Sequence, residues 1–315
     1  MDMRRLGRTD LKIAPLVLGG NVFGWNCDRK TTFAVLDAFL DAGFNAVDTA
    51  DVYNRYQPGL NGGESETLIG DWMKARNNRD KVVVVTKGGL FMGEGMEGLG
   101  RDYLPRACEA SLARLQTDYI DVYMSHRADA DTPIGETLET FQSLIDAGKI
   151  RYAGASNYTA AQLAEALAAA GGACARYEAV QPLYNLAARL GYEAELEALS
   201  EASGLGVITY YALAAGFLTG KYRSEADLEG SDRGHVVKGY LNPAGYGLLG
   251  AIDDVAARHA ATPAQVALAW LMARPSVTAP IASVTKMAQL DDILASARLE
   301  LSAHDIATLD AARLD

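Results

Sequence analysis

The chain has 315 residues, of which 49% are apolar, and its 29 basic and 40 acidic side chains give a net charge of −11. A chain of this length can bury a large core, whereas its negative charge opposes binding to nucleic acid and to anionic membrane surfaces. Its three cysteines form no CxxC pair and predict neither disulfides nor a zinc site, so no metal is expected. The basic N-terminus has no apolar run behind it, and we expect a cytoplasmic protein.

The first elements along the chain predict a small hairpin followed by a parallel sheet. Residues 3–14 (MRRLGRTDLKIA) fit two short strands around a polar turn that would close the bottom of a barrel, with a disordered arm as the alternative. Eight short β-branched runs then alternate with helical patterns, which is typical of βαβ units. The eight candidate strands are residues 16–20, 45–49, 82–86, 120–124, 151–156, 179–183, 206–210 and 278–282. Eight such units predict an α/β fold, the (β/α)8 TIM barrel with an N-terminal β-hairpin.

Helical periodicity fills the segments between these strands. The clearest patterns are residues 31–43, 65–76, 104–115, 135–148, 160–171 and 192–204. Two long connections stand out, residues 88–101 and 218–246, and in a barrel such loops follow the carboxyl ends of strands, where active sites are built. No Pro-rich or Gly/Ser-rich linker divides the chain, so we expect residues 1–315 to form a single domain.

Four polar side chains at the ends of three candidate strands predict an acid–base site. Asp48 and Tyr53 follow the second strand, Lys87 the third and His126 the fourth, so all four converge at the barrel mouth. A phenol has a pKa of about 10, which a neighbouring ammonium would lower while a carboxylate holds that ammonium in place. A neutral histidine could orient a substrate oxygen. Together they predict a proton donor beside an oxyanion site.

Each of these residues has an ordinary alternative role. Asp48 could cap a helix, Tyr53 could be a partly buried aromatic, Lys87 a solvated charge and His126 a structural histidine. Their shared position at strand ends favours catalysis, because unrelated surface residues would scatter over the barrel. A metal-dependent barrel hydrolase is disfavoured, since of four histidines only His126 lies at such a position.

The chain resembles the aldo-keto reductase family in an ordered series of segments through nearly its whole length. These segments are VDTADVYNRY, GGESETLIGDWM, VVVVTKGG, TDYIDVYMSHR, RYAGASNY, AVQPLYN, VITYYALAAGFLTGKY and TPAQVALAWLMARPSVTAPIASVTK. The resemblance implies that Asp48, Tyr53, Lys87 and His126 are the family's catalytic tetrad, with Tyr53 as the general acid.

The same resemblance implies a nicotinamide cofactor bound across the barrel mouth. Ser156, Asn157 and Gln181 match residues that hold the carboxamide, and Tyr210 matches the aromatic on which the nicotinamide ring stacks. The residues that match the pyrophosphate loop are Leu213, Gly216 and Lys221. Taken alone, Ser156 and Asn157 could cap the following helix, and Tyr210 could belong to the core. No GxGxxG motif follows a strand, so a Rossmann domain is not supported.

The segment at the eighth strand resembles the family's site for the adenosine 2′-phosphate. Ser283, Thr285 and Lys286 could supply hydroxyls and a cation near a helix N-terminus, which favours NADPH over NADH. Ala288 and Asp292 stand where relatives carry an arginine and an asparagine, and a carboxylate there opposes a phosphate. Alternatively, Lys286 only begins a surface helix.

These features predict an NADP-dependent oxidoreductase acting on the CH–OH group, which reduces an aldehyde or ketone to an alcohol in a reversible reaction. The expected partner is a small carbonyl or alcohol compound. Trp25, Phe91, Met124 and Arg127 are expected at the walls of the barrel mouth, in a largely apolar pocket, although any of them could instead serve packing alone. The alternative function is a cofactor-binding, redox-sensing regulatory subunit similar to channel-associated relatives of the family.

Overall fold

A computed structural model describes residues 2–314 and confirms the predicted barrel. Eight parallel strands close on themselves in the order β10-β3-β4-β5-β6-β7-β8-β9. The barrel strands are β3 (Val17–Gly19), β4 (Ala46–Asp48), β5 (Val83–Gly88), β6 (Ile120–Ser125), β7 (Ile150–Ser156), β8 (Tyr177–Gln181), β9 (Gly206–Thr209) and β10 (Ala279–Ala282). Each candidate strand of the sequence overlaps one of them.

The helices surround the barrel, and five of the six helical patterns named from the sequence each overlap a single helix. They are α1 (Arg29–Asp41), α2 (Glu64–Arg76), α3 (Leu104–Leu115), α4 (Ile134–Asp146), α5 (Ala160–Ala169), α6 (Leu190–Glu193), α7 (Leu196–Ser203), α8 (Gly234–Val237), α9 (Pro243–His259), α10 (Pro263–Met272), α11 (Met287–Ser296) and α12 (Ala303–Ala311). The pattern at 192–204 was wrong as a single helix, because Glu195 adopts a non-helical φ of −139° between α6 and α7. Among residues 2–314, no helix is long and apolar enough to cross a membrane.

The predicted N-terminal hairpin is confirmed and plugs one end of the barrel. Strands β1 (Arg4–Arg5) and β2 (Lys12–Ile13) pair in antiparallel fashion. Leu6 of the turn is fully buried in the same apolar cluster as Val17 and Ala46 of the barrel interior. A side chain at Gly206, the first residue of β9, would come within 2.4 Å of Leu6. The hairpin therefore covers the amino ends of the strands, at the end of the barrel opposite to Asp48 and Lys87.

Strand alternation turns two of the predicted site residues into the barrel. Ala46 of β4 and Val85 of β5 belong to the interior cluster, whereas Val47 packs in the layer between the barrel and the helices. Side chains two residues apart on a strand point to the same face. Asp48 and Lys87, two residues after Ala46 and Val85, therefore point inward at the carboxyl ends of adjacent strands.

Candidate active site

A buried lysine–aspartate pair lies at the centre of the candidate site. Lys87 Nζ donates hydrogen bonds to both carboxylate oxygens of Asp48 at 2.8 Å and to the carbonyl of Thr49 at 2.8 Å. It also donates to the Tyr53 hydroxyl at 3.0 Å. Both members of the pair are 1% exposed. Their mutual neutralisation is what permits two charges at this depth, because an isolated buried charge would be strongly disfavoured.

The Tyr53 hydroxyl lies between the members of this pair and the open cavity. It accepts a hydrogen bond from Lys87 and donates one to Asp48 Oδ2 at 3.1 Å. The His126 ring lies 6.1 Å from the Tyr53 ring, centroid to centroid, at an angle of 75°. Among the described residues, the buried Nδ1 of His126 has no hydrogen-bond partner. The structure thus brings together the four side chains that the strand ends predicted.

The protonation states follow from burial. Burial raises the pKa of Tyr53 well above its usual value, and the Asp48 carboxylate raises it further. The prediction that Lys87 gives the phenol a lowered pKa is therefore wrong for the net effect. Burial also lowers the pKa of Lys87 against the opposing attraction of Asp48. Burial, followed by Lys87 and Arg127, lowers the pKa of His126 to about 3, which agrees with the expected neutral imidazole.

A cavity of about 790 Å³ opens at the carboxyl ends of the strands and passes over this site. Twelve of the fourteen predicted site residues line it: Asp48, Tyr53, His126, Ser156, Asn157, Gln181, Tyr210, Leu213, Gly216, Lys221, Ser283 and Thr285. Of the other two, Lys87 is buried beneath Tyr53, and Lys286 is exposed outside the lining. The cavity therefore joins the predicted acid–base residues to nearly all of the predicted cofactor residues.

Side-chain hydrogen bonds order the part of the cavity nearest Tyr53. The Tyr210 hydroxyl donates to Asn157 Oδ1 at 2.6 Å, and Asn157 Nδ2 donates to the His126 carbonyl at 2.9 Å. Ser156 Oγ donates to the Gln181 carbonyl at 3.1 Å. Amide and hydroxyl groups from β7, β8 and the residue after β9 thus form one polar wall, which suits a carboxamide.

The middle of the cavity has a backbone that fits a dinucleotide. Tyr211 and Ala215 line it with φ values of 60° and 57°, in the left-handed region that non-glycine residues rarely occupy. Such strain clusters at ligand clamps. A Cβ at Gly216 would lie 3.4 Å from Lys221 Nζ, so the missing side chain leaves the lysine ammonium close to the loop backbone. An exposed amine beside bare backbone fits a pyrophosphate.

The far end of the cavity carries the predicted adenosine residues. The Thr285 hydroxyl donates to Gln289 Oε1 at 3.2 Å. Asp292 Oδ1 accepts hydrogen bonds from Thr262 Oγ1 and Gln265 Nε2, both at 2.8 Å. Two donors therefore already share the Asp292 carboxylate.

Part of the cavity lining was not predicted from the sequence. Asn21 and Asn26 line the cavity, and so does the segment 229–233. Asn26 Nδ2 donates to Asp232 Oδ2 at 3.4 Å, which joins the first loop to that segment. The length of the connection 218–246 had marked this region, but the residue types in it gave no further signal.

The predicted apolar substrate wall is wrong. Trp25, Phe91, Met124 and Arg127 are all absent from the lining of the cavity. Met124 is fully buried in the barrel interior, whereas Phe91 is exposed on the connection 88–101 and its ring lies 5.1 Å from the Arg55 guanidinium. Asn21, Asn26, Glu229 and Asp232 line the cavity together with apolar residues such as Val22.

Comparisons with known proteins agree with this architecture. Residues 15–314 match the sequence model of the Aldo/keto reductase family. The chain is 34% identical to the uncharacterized oxidoreductase YrpG of Bacillus subtilis over 96% of this chain and 92% of the relative. It is 34% identical to a probable voltage-gated potassium channel subunit beta of Oryza sativa (92% and 89%) and 32% identical to the aldo-keto reductase YhdN of Bacillus subtilis (87% and 80%). The chain belongs to the aldo-keto reductase family.

Proposed function

We propose that this protein is an NADPH-dependent carbonyl reductase in which Tyr53 protonates the oxygen of an aldehyde or ketone. The observation that carries the proposal is the Lys87–Asp48 pair, which holds the Tyr53 hydroxyl at the edge of a cavity that also contains the Ser156, Asn157 and Gln181 wall. The bound nicotinamide supplies the hydride, and the alcohol can be oxidised in the reverse direction.

The protein contributes the proton and the stabilisation of charge. The raised pKa of Tyr53 keeps the phenol protonated, so the donor is loaded when the substrate arrives. An alkoxide is a far stronger base than a phenolate, and the proton therefore moves from the Tyr53 hydroxyl to the substrate oxygen as negative charge develops there. Lys87, 3.0 Å away, stabilises the phenolate that remains, and neutral His126 orients the carbonyl.

The rest of the cavity would hold the cofactor. Ser156, Asn157 and Gln181 offer amide and hydroxyl groups to the carboxamide, and Tyr210 offers a ring face to the nicotinamide. The three remaining residues of the middle region would bind the pyrophosphate: Leu213, Gly216 and Lys221. This division would bring the nicotinamide end of the cofactor close to Tyr53.

We propose NADPH rather than NADH as the electron donor. Ser283 and Thr285 line the far end of the cavity, and Lys286 lies just outside it, so hydroxyls and one cation can meet a 2′-phosphate. Asp292 opposes a phosphate, but its Oδ1 is engaged by two hydrogen bonds, which disperses part of its charge. We also propose that residues 1–315 form one catalytic domain that works in the cytoplasm.

The direct test follows NADPH absorbance with a panel of aldehydes and ketones. Tyr53→Phe removes the proton donor and is expected to abolish turnover while NADPH still binds. Tyr56→Phe is the matched control, because Tyr56 is 76% exposed and outside the cavity lining. Undiminished turnover in the Tyr53 variant would remove this tyrosine from its proposed role.

A second candidate function is a regulatory subunit that binds the cofactor and senses its redox state. The names of relatives favour it, since proteins from Oryza sativa and Arabidopsis thaliana called probable voltage-gated potassium channel subunit beta are each 34% identical to this chain. Tight retention of NADPH without turnover of any carbonyl, together with a co-purifying partner protein, would favour this function. The complete set of Asp48, Tyr53, Lys87 and His126 favours turnover instead.

A further inference from the structure

One hydrogen bond connects the nicotinamide wall directly to the acid–base residues. Gln181 ends β8, is 2% exposed and donates from Nε2 to Asp48 Oδ1 at 2.7 Å. Strands β4 and β8 are four places apart in an eight-stranded barrel, so the two side chains meet from opposite sides of the barrel mouth. The bond therefore crosses the floor of the cavity.

The orientation of the Gln181 amide is fixed by chemistry. An ionised carboxylate only accepts hydrogen bonds, so the atom that faces Asp48 must be the amide nitrogen. Met124 Sδ, 3.9 Å from the same nitrogen, is also an acceptor. Among residues 2–314, the carbonyl oxygen Oε1 of Gln181 has no hydrogen-bond partner, and Gln181 lines the cavity. One end of the amide thus holds Asp48, and the other is free to accept a bond from a ligand.

The backbone of Gln181 is held by the same wall. Its carbonyl accepts hydrogen bonds from Ser156 Oγ at 3.1 Å and from the backbone N–H of Asn157 at 3.4 Å. A ligand that binds to Ser156 and Asn157 would therefore also affect the position of Gln181. No other side chain of this wall reaches the Asp48 carboxylate in the described part of the chain.

Asp48 distributes its charge over few donors. Oδ1 accepts from Lys87 and Gln181, and Oδ2 accepts from Lys87 and Tyr53. Gln181 is the one donor among these that does not belong to the proposed acid–base set. Without this hydrogen bond, the negative charge of Asp48 would act more strongly on Tyr53. The pKa of the phenol would rise, and proton transfer from it would become less favourable.

We propose that Gln181 is a positioning residue that keeps Asp48 aligned with Lys87 and transmits occupation of the nicotinamide end of the cavity to the proton donor. The inference rests on the proposed function and adds a role to Gln181 beyond holding a carboxamide. It makes cofactor binding and the state of Asp48 thermodynamically coupled, so each must change the other.

Two substitutions of Gln181 separate positioning from simple cofactor contact. Gln181→Met keeps the length of the side chain but cannot donate to Asp48. A hydrogen bond to a charged group stabilises that group strongly, so we expect kcat at saturating NADPH to fall about 10-fold to about 100-fold when it is lost. The basic limb of the pH profile of kcat should move to higher pH, because the pKa of Tyr53 rises. Gln181→Glu places a second carboxylate against Asp48, and the two must share a proton, which adds a pH step to kcat that the wild type lacks.

Lys221→Met is the matched control. It alters a proposed cofactor-binding residue that lies beside Gly216 and, among the described residues, has no hydrogen bond to Gln181 or Asp48. We expect weaker NADPH binding in this variant and an unchanged pH profile of kcat. A Gln181→Met enzyme that behaves in the same way, with only its NADPH affinity altered, would overturn the proposal.

A binding cycle tests the coupling without turnover. The NADPH Kd is measured by tryptophan fluorescence for wild type, Asp48→Asn, Gln181→Met and the double variant. Coupled residues are expected to deviate from additivity by about 2-fold to about 100-fold. If the effects of the two substitutions on the NADPH Kd are additive, the inference is refuted, even for a protein without a carbonyl substrate. If the effects are coupled but the wild type turns over no carbonyl, only the proposed function is refuted.

Discussion

Removal of the Lys87 ammonium is expected to lower both the free energy of unfolding and kcat, for two different reasons. In Lys87→Met, the 1% exposed Asp48 carboxylate keeps only the hydrogen bonds from Gln181 at 2.7 Å and Tyr53 at 3.1 Å. Breaking a buried ion pair from one side costs about 3–5 kcal/mol of folding free energy. The phenolate also loses a charged donor at 3.0 Å, worth about 1.5–3 kcal/mol, so kcat should fall at least about 10-fold to about 100-fold.

The double variant Lys87→Met/Asp48→Asn distinguishes the two effects. A neutral amide no longer leaves an unpaired charge in the barrel, so urea unfolding should show most of the lost stability restored. NADPH turnover should stay low, because the phenolate still has no ammonium beside it. Recovery of turnover together with stability would show that the charge of Lys87 serves folding alone and would refute the electrostatic argument.

Three further predictions concern groups around the site. Burial and then Glu66 raise the pKa of Asp51 to about 8, and neither of its carboxylate oxygens has a partner among the described residues. A carboxyl with this pKa is protonated in the fold at neutral pH. Relative to Asp51→Asn, the wild type should therefore lose stability as pH rises from about 4 through about 8. The total loss, measured by urea unfolding, should be on the order of 5 kcal/mol. The pKa of His126 is lowered to about 3, so its effect on stability has the opposite sign: its contribution to the free energy of unfolding is complete above about pH 6.5 and is lost as pH falls. His126→Asn should remove this trend. A step in turnover near pH 6.5 that disappears in His126→Asn would contradict a neutral imidazole. Lys286→Ala should lower the preference for NADPH over NADH, measured as the ratio of their Kd values, by less than about 10-fold, because the lysine is exposed. Asp292→Asn should raise this preference. An unchanged Kd ratio in both variants would mean that the 2′-phosphate binds elsewhere.

The barrel and the meeting of Asp48 and Lys87 at its mouth could be predicted, because both follow from short-range patterns. Alternating β-branched runs and helices define βαβ units, and the side-chain period of two turns Asp48 and Lys87 to the same interior as Ala46 and Val85. The hairpin over residues 3–14 was likewise visible from its polar turn. Such features depend on neighbours in sequence, which local propensity and periodicity describe well.

Other features depend on contacts between distant segments. The bond from Gln181 to Asp48 joins residues 133 positions apart, and no spacing rule announces it. The direction of the Tyr53 pKa follows from its depth in the fold, which a single tyrosine in a sequence does not reveal. The predicted substrate wall was wrong for the same reason, because the burial of Met124 in the barrel interior depends on packing against residues of other strands.

A crystal structure of the complex with NADP⁺ tests the central claim most directly. We predict that the nicotinamide ring lies against Tyr210, its carboxamide contacts Ser156, Asn157 and Gln181, and the Tyr53 hydroxyl faces the reactive side of the ring while still bonded to Lys87. A dinucleotide bound with its nicotinamide away from Tyr53, or a cavity empty of it at saturating concentration, would contradict the account.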